Sequence, residues 1–112
     1  MESGLVSGGI ELGWLDVSQA FNLIDLPLKI GRTIEADFVV NDPLVSRTHA
    51  SIDVRSGNYV LQDTSSYGTW VRFDGVENAI SSRRQECLLH SNGEIAVGAP
   101  FTDFSAPRVT FK

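Results

Sequence analysis

Apolar and polar residues alternate in short runs along this chain, and no helical spacing of apolar positions persists over a helix-length window. Ala50, Ile52 and Val54 fall on one face of such a run, with His49, Ser51 and Asp53 on the other. Ser56-Gly57 then offers a tight turn before Tyr59-Val60-Leu61-Gln62, a pattern that predicts a β-hairpin. Further strands are predicted over 10–15, 20–24, 28–30, 38–40, 69–73, 87–89, 94–97 and 108–111. Asn41-Asp42-Pro43, Asp74-Gly75 and Asn92-Gly93 supply turn chemistry between them: Asx hydrogen bonds, the fixed φ of proline, and the tolerance of glycine for positive φ. Residues 75–86 are polar and read as an excursion between strands.

About ten short strands cannot bury one face as a single open sheet, so two sheets packed face to face are expected: an all-β sandwich. Val71 and Phe73 alternate into its core, which leaves Trp70 on the opposite face to shield a sheet or a neighbour. Residues 1–9, rich in Gly and Ser, read as a flexible leader or linker, and residues 10–112 as the sandwich domain.

Composition narrows the function. The chain has 112 residues, 42% of them hydrophobic, which is enough for one core without staples, and Cys87 is alone and cannot form an internal disulfide. No apolar run approaches membrane-spanning length, and residues 1–11 lack the charged start and apolar stretch of a signal peptide. These features lead to the expectation of a soluble, cytoplasmic module with no membrane partner. Nine basic residues against 14 acidic ones give a net charge of −5, and only Arg83-Arg84 are adjacent, so no nucleic-acid partner is expected. No nucleophile motif, metal cluster or cofactor loop is present, so neither enzymatic activity nor a cofactor is expected. Ser46, His49 and Asp63 lack the elbow of a hydrolase triad, and His49 reads as a braced core histidine. Cys87 and His90 fall short of the four ligands of a structural zinc, and Cys87 reads as a small buried hydrophobe.

The chemistry lies in three predicted loops. Gly31-Arg32 follows one strand, Ser46-Arg47-Thr48-His49 follows the Asn-Asp-Pro turn, and Ser65-Ser66-Tyr67-Gly68-Thr69 follows another. If they converge, they offer two guanidiniums, several hydroxyls and backbone N–H groups, which suits a phosphate with three acceptor oxygens.

Gly31-Arg32, Val45-Ser46-Arg47-Thr48-His49-Ala50 and Ser65-Ser66-Tyr67-Gly68-Thr69-Trp70-Val71, followed by Asn92-Gly93-Glu94-Ile95, closely resemble the forkhead-associated (FHA) domain over residues 23–111. The resemblance implies an eleven-stranded β-sandwich that binds a phosphothreonine-containing protein or peptide and discriminates against phosphoserine. By position, Arg32 matches the arginine that reaches the phosphate and Ser46 the hydroxyl that hydrogen-bonds it. Arg47 matches the adjacent polar position, and Ser66 a Thr or Ser near the phosphothreonine. His49 resembles the buried histidine that braces the loops, with Gly31 and Gly68 as structural support. Tyr67 departs from the family, which commonly has Asn there to hold the peptide backbone. The segments 42–50 and 65–71 also resemble FHA modules attached to bacterial class III adenylate/guanylate cyclases, which implies a regulatory module with a cyclase domain as partner in the same chain. An alternative stays open: an FHA fold acting as a phospho-independent interaction or autoinhibitory domain, with Tyr67 as its support.

Overall fold

The computed structural model describes residues 8–112, so all of the expected leader but Gly8 and Gly9 lies outside the described residues. Eleven strands form: β1 (Ile10–Trp14), β2 (Val17–Phe21), β3 (Leu28–Gly31), β4 (Phe38–Val39), β5 (Ala50–Arg55), β6 (Asn58–Asp63), β7 (Thr69–Phe73), β8 (Ile80–Ser81), β9 (Glu86–Leu89), β10 (Gly93–Val97) and β11 (Arg108–Phe111). A six-stranded sheet runs β2-β1-β11-β10-β7-β8 and a five-stranded sheet β4-β3-β5-β6-β9. The pairing is antiparallel throughout, except that β4 lies parallel to β3.

Alternation does the folding work. Leu12, Val71, Ile95 and Val109 from one sheet meet Leu28, Ile30, Ile52 and Leu61 from the other, all with no exposed surface. Each such side chain contributes about 1.5–3 kcal/mol on burial. Cys87 joins this core and Trp14 packs against its edge. Burial also pushes the Cys87 thiol pKa up, as befits a core hydrophobe. Trp70, on the outer face of β7, is half-buried over a second cluster of Ala96, Ala99, Phe101 and Ala106.

The predicted hairpin is present as β5 and β6, with Arg55 paired to Asn58 around Ser56 (φ 53°) and Gly57 (φ 79°). Two successive positive φ values match the twist of the strands they join. Three expectations need correction. The strand predicted over 20–24 lies earlier, at Val17–Phe21, because Leu23 and Ile24 are exposed around a 3₁₀ turn at Leu23–Asp25. The excursion over 75–86 contains β8, a two-residue edge strand whose side chains are exposed and so carry no apolar pattern. Gly93 is no positive-φ turn residue. It opens β10 opposite Phe73 and Phe111, where a Cβ would lie 2.3 Å from the Arg72 carbonyl oxygen, so close approach is what requires glycine.

Candidate functional site

The three loops selected from the sequence meet at one end of the sandwich. Strand β3 delivers Gly31 against the loop between β4 and β5, where an added Cβ would sit 1.9 Å from the Arg47 carbonyl oxygen. This contact lets the next residue dock: Arg32 N–H donates to the Ser46 carbonyl at 3.1 Å, and Arg32 Nη1 to the Val45 carbonyl at 3.1 Å. The Asn-Asp-Pro turn aims that segment, since Asp42 Oδ1 accepts from Leu44 N–H at 2.9 Å and the Asp42 carbonyl from Val45 N–H at 3.0 Å.

Ser46 links the second loop to the third. Its Oγ accepts the Ser66 N–H at 3.0 Å, and its own N–H donates to His49 Nδ1 at 3.0 Å. A backbone N–H can only donate, so Nδ1 is unprotonated and the ring proton sits on Nε2, which donates to the Gly68 carbonyl at 2.9 Å. Fully buried, His49 thus staples loop 46–49 to loop 65–69. Burial holds its pKa below the usual histidine value, against the smaller upward pulls of the Gly68 bond and the Asp63 charge. Both ring nitrogens serve backbone groups, so no Ser-His-Asp relay exists. Gly68 has φ 106°, which favours glycine, and an added Cβ would come tightly against the Trp70 ring at 3.0 Å.

Asp63 plays a part that spacing alone did not reveal. At the end of β6, its Oδ1 accepts from Ser65 N–H (3.2 Å), Ser65 Oγ (2.6 Å) and Thr69 Oγ1 (2.6 Å), and its Oδ2 from Arg84 N–H (2.8 Å). Ser65 Oγ in turn accepts Gly68 N–H at 2.7 Å. Burial raises the Asp63 pKa, but the bonds from Arg84, Ser65 and Thr69 outweigh it and hold the carboxyl below its ordinary value. The sequence signal for this role was an Asp two residues before a Ser, the pattern of an Asx turn.

Arg32, Ser46, Arg47, Ser66 and Tyr67 line one open groove of about 300 Å³, walled by Pro43, Leu44 and Val45. Arg47, Ser66 and Tyr67 are exposed and Arg32 and Ser46 half-buried. Among the described residues, neither arginine has a carboxylate within ion-pair distance, whereas Arg55 and Arg72 pair with Glu86 and Glu94. The Ser46 hydroxyl uses a lone pair on Ser66 N–H, which leaves its own proton to donate. Two guanidiniums and a free hydroxyl proton therefore face a groove with room for an anion.

Elsewhere, the Cys87–His90 spacing yields no site: His90 stacks on Phe73 with ring centroids 4.0 Å apart. Among the described residues no group of His, Cys, Asp or Glu could hold a metal, and no helix is long and apolar enough to cross a membrane.

Comparison with known proteins agrees with this architecture. The chain superposes on the first FHA domain of Mycobacterium tuberculosis Rv1747 with a TM-score of 0.71 at 21% identity, over 93% of this chain and 94% of that one. An FHA domain of an Arabidopsis thaliana hypothetical protein gives a TM-score of 0.71 at 21% identity, over 100% and 91% of the two chains. A third, from a structural and functional study of phosphothreonine-dependent FHA domain interactions, gives 0.66 at 22% identity, over 93% and 95%. No curated protein sequence matches the chain. The sequence profile of the FHA domain matches residues 28–98, more than half of the chain, and the protein belongs to the FHA domain family.

Proposed function

We propose that this domain binds phosphothreonine in a partner protein through the groove between its three loops. The observation that carries the reading is the Ser46 hydroxyl: it accepts from Ser66 N–H and keeps its proton for an incoming acceptor, beside two arginines that have no carboxylate within ion-pair distance among the described residues. A phosphate dianion offers three acceptor oxygens to such a cluster. Arg32 contacts the phosphate, Ser46 donates to it, Arg47 adds charge at the rim, and Ser66 lies beside the threonine. Tyr67, 57% exposed, lies where the family commonly carries Asn and meets the peptide with its ring and a single hydroxyl. An FHA domain similar to this chain was solved in the context of phosphothreonine-dependent interactions, which supports the same ligand here.

The likeness of segments 42–50 and 65–71 to modules of bacterial class III cyclases supports a regulatory role within a larger cytoplasmic signalling protein, with a cyclase domain as its partner in the chain. The second reading is a phospho-independent interaction or autoinhibitory surface, favoured by Tyr67 itself, since an exposed ring replaces the backbone-holding amide. A peptide array with matched Thr, phosphothreonine and phosphoserine members separates the two. Retention of phosphothreonine members alone is expected, and equal retention of the unphosphorylated set contradicts the proposal.

A further inference from the structure

Arg83 and Arg84, the adjacent basic pair of the sequence, lie outside the groove but are tied to the loop that carries Ser66 and Tyr67. Ser82 N–H donates to the Thr69 carbonyl at 2.8 Å, Asp63 N–H to the Gln85 carbonyl at 3.2 Å, and Arg84 N–H to Asp63 Oδ2 at 2.8 Å. The turn 82–85 is thus bound to both ends, Asp63 and Thr69, of the loop whose Ser66 and Tyr67 line the groove. Both arginines are exposed, and among the described residues neither has a carboxylate within ion-pair distance. The acids around them are occupied: Asp63 by its four donors, Glu86 by Arg55 at 2.7 Å.

The backbone fixes the pair in a tight turn. Gln85 N–H donates to the Ser82 carbonyl at 2.8 Å, which closes a turn whose third residue, Arg84, has φ 57°. That place in a turn suits Gly or Asn, and a long side chain there is uncommon.

We propose that Arg83 and Arg84 form a second anion subsite, which takes an acidic group on the same peptide whose phosphothreonine occupies the Arg32–Ser46 groove. The inference rests on the phosphothreonine reading. The turn that holds the pair is fixed to the loop that lines the groove, and an extended peptide advances about 3.3 Å per residue, so the acidic group is a carboxylate or a second phosphate on residues flanking the phosphothreonine. The rest of this acidic chain repels such a peptide, so the subsite makes an acidic flank an advantage.

Fluorescence anisotropy with one alanine-rich phosphothreonine peptide tests the inference. Its variants carry neutral flanks, glutamates on the N-terminal side, glutamates on the C-terminal side, or a second phosphothreonine. The wild-type protein is expected to favour at least one acidic variant over the neutral peptide by about threefold to tenfold, with the margin shrinking as salt rises. In the double variant Arg83→Gln, Arg84→Gly, glycine relieves the positive φ and the fold is retained. The acidic advantage is then expected to vanish while affinity for the neutral peptide stays unchanged. A double variant that keeps the advantage, or a wild-type protein that shows none while binding the neutral phosphopeptide, overturns this inference alone. Failure of the wild-type protein to bind any phosphothreonine peptide overturns it together with the proposed function.

Discussion

The turn joining β5 to β6 and the loop joining β6 to β7 lie at opposite ends of the same strand, and different means hold them. At Ser56-Gly57 the backbone suffices: two positive φ values reverse the chain, and a Cβ at Gly57 would meet nothing within 4 Å. At the other end the path from Asp63 to Thr69 depends on side chains, with one buried carboxylate accepting four hydrogen bonds and a buried histidine bridging to the neighbouring loop. The arginines follow the same division. Arg55, beside the simple turn, is paired with Glu86, while Arg32 and Arg47, beside the wired loops, line a groove and have no carboxylate within ion-pair distance among the described residues. A loop held by its own buried network leaves its outward donors unsatisfied within the protein, and those donors are what an external anion meets.

The contrast is broken most severely at Asp63. Asp63→Ala leaves the donors of Ser65, Thr69 and Arg84 without their acceptor and is expected to lower stability by about 2–4 kcal/mol in denaturant unfolding. Arg55→Ala, at the exposed end, is expected to leave the unfolding midpoint where it is. Equal losses in the two variants would remove the distinction between the ends.

His49→Ala comes next, with an expected loss of about 1–3 kcal/mol and several degrees in Tm. Its titration has a definite sign. The folded pKa lies below the ordinary value, so the unfolded chain takes up the proton first, and stability present above pH of about 6.5 is lost as pH falls toward the folded value. Asp63, also held low in the fold, adds a loss at more acidic pH, beginning near its unfolded value of about 3.9. Thermal melts from pH 8 to pH 5 are expected to show Tm falling over the lower part of that range in the wild-type protein and much less in His49→Ala. Parallel curves would take His49 out of the network.

How far these features could be read from the sequence differs between the same two regions. The β5–β6 hairpin was legible because alternation and a two-residue turn are local signals, and they leave one register available. Strand β8 was not, because Ile80 and Ser81 are both exposed on a sheet edge and carry no pattern. Strand β2 was displaced for a related reason: Val17 to Ala20 are exposed, so the nearby apolar Leu23 and Ile24 drew the strand toward themselves. Loop composition pointed to Arg32, Ser46 and Ser66, but their convergence is a long-range property that the residues alone left conditional. The hub at Asp63 stayed hidden because its partners range from two to 21 positions away.

The smallest expected effect sharpens the comparison at the rim of the groove. Tyr67→Asn restores the amide common in the family, which can pair with a peptide N–H and C=O together, and is expected to preserve or tighten phosphopeptide binding by about 0.5–1.5 kcal/mol. A folded Tyr67→Asn variant that binds tenfold more weakly would show the exposed ring to be an anchor in its own right.

On the proposed function, the groove reads a phosphate through Arg32, whose guanidinium is held by the Val45 carbonyl and whose backbone N–H is held by the Ser46 carbonyl. This central claim is tested most directly by calorimetric titration of one phosphothreonine peptide into the wild-type protein and into Arg32→Ala, with the fold of the variant verified by its melt. A charge-assisted bond of about 1.5–3 kcal/mol is lost, so affinity is expected to fall at least tenfold. Unchanged affinity in a folded Arg32→Ala protein would contradict the account.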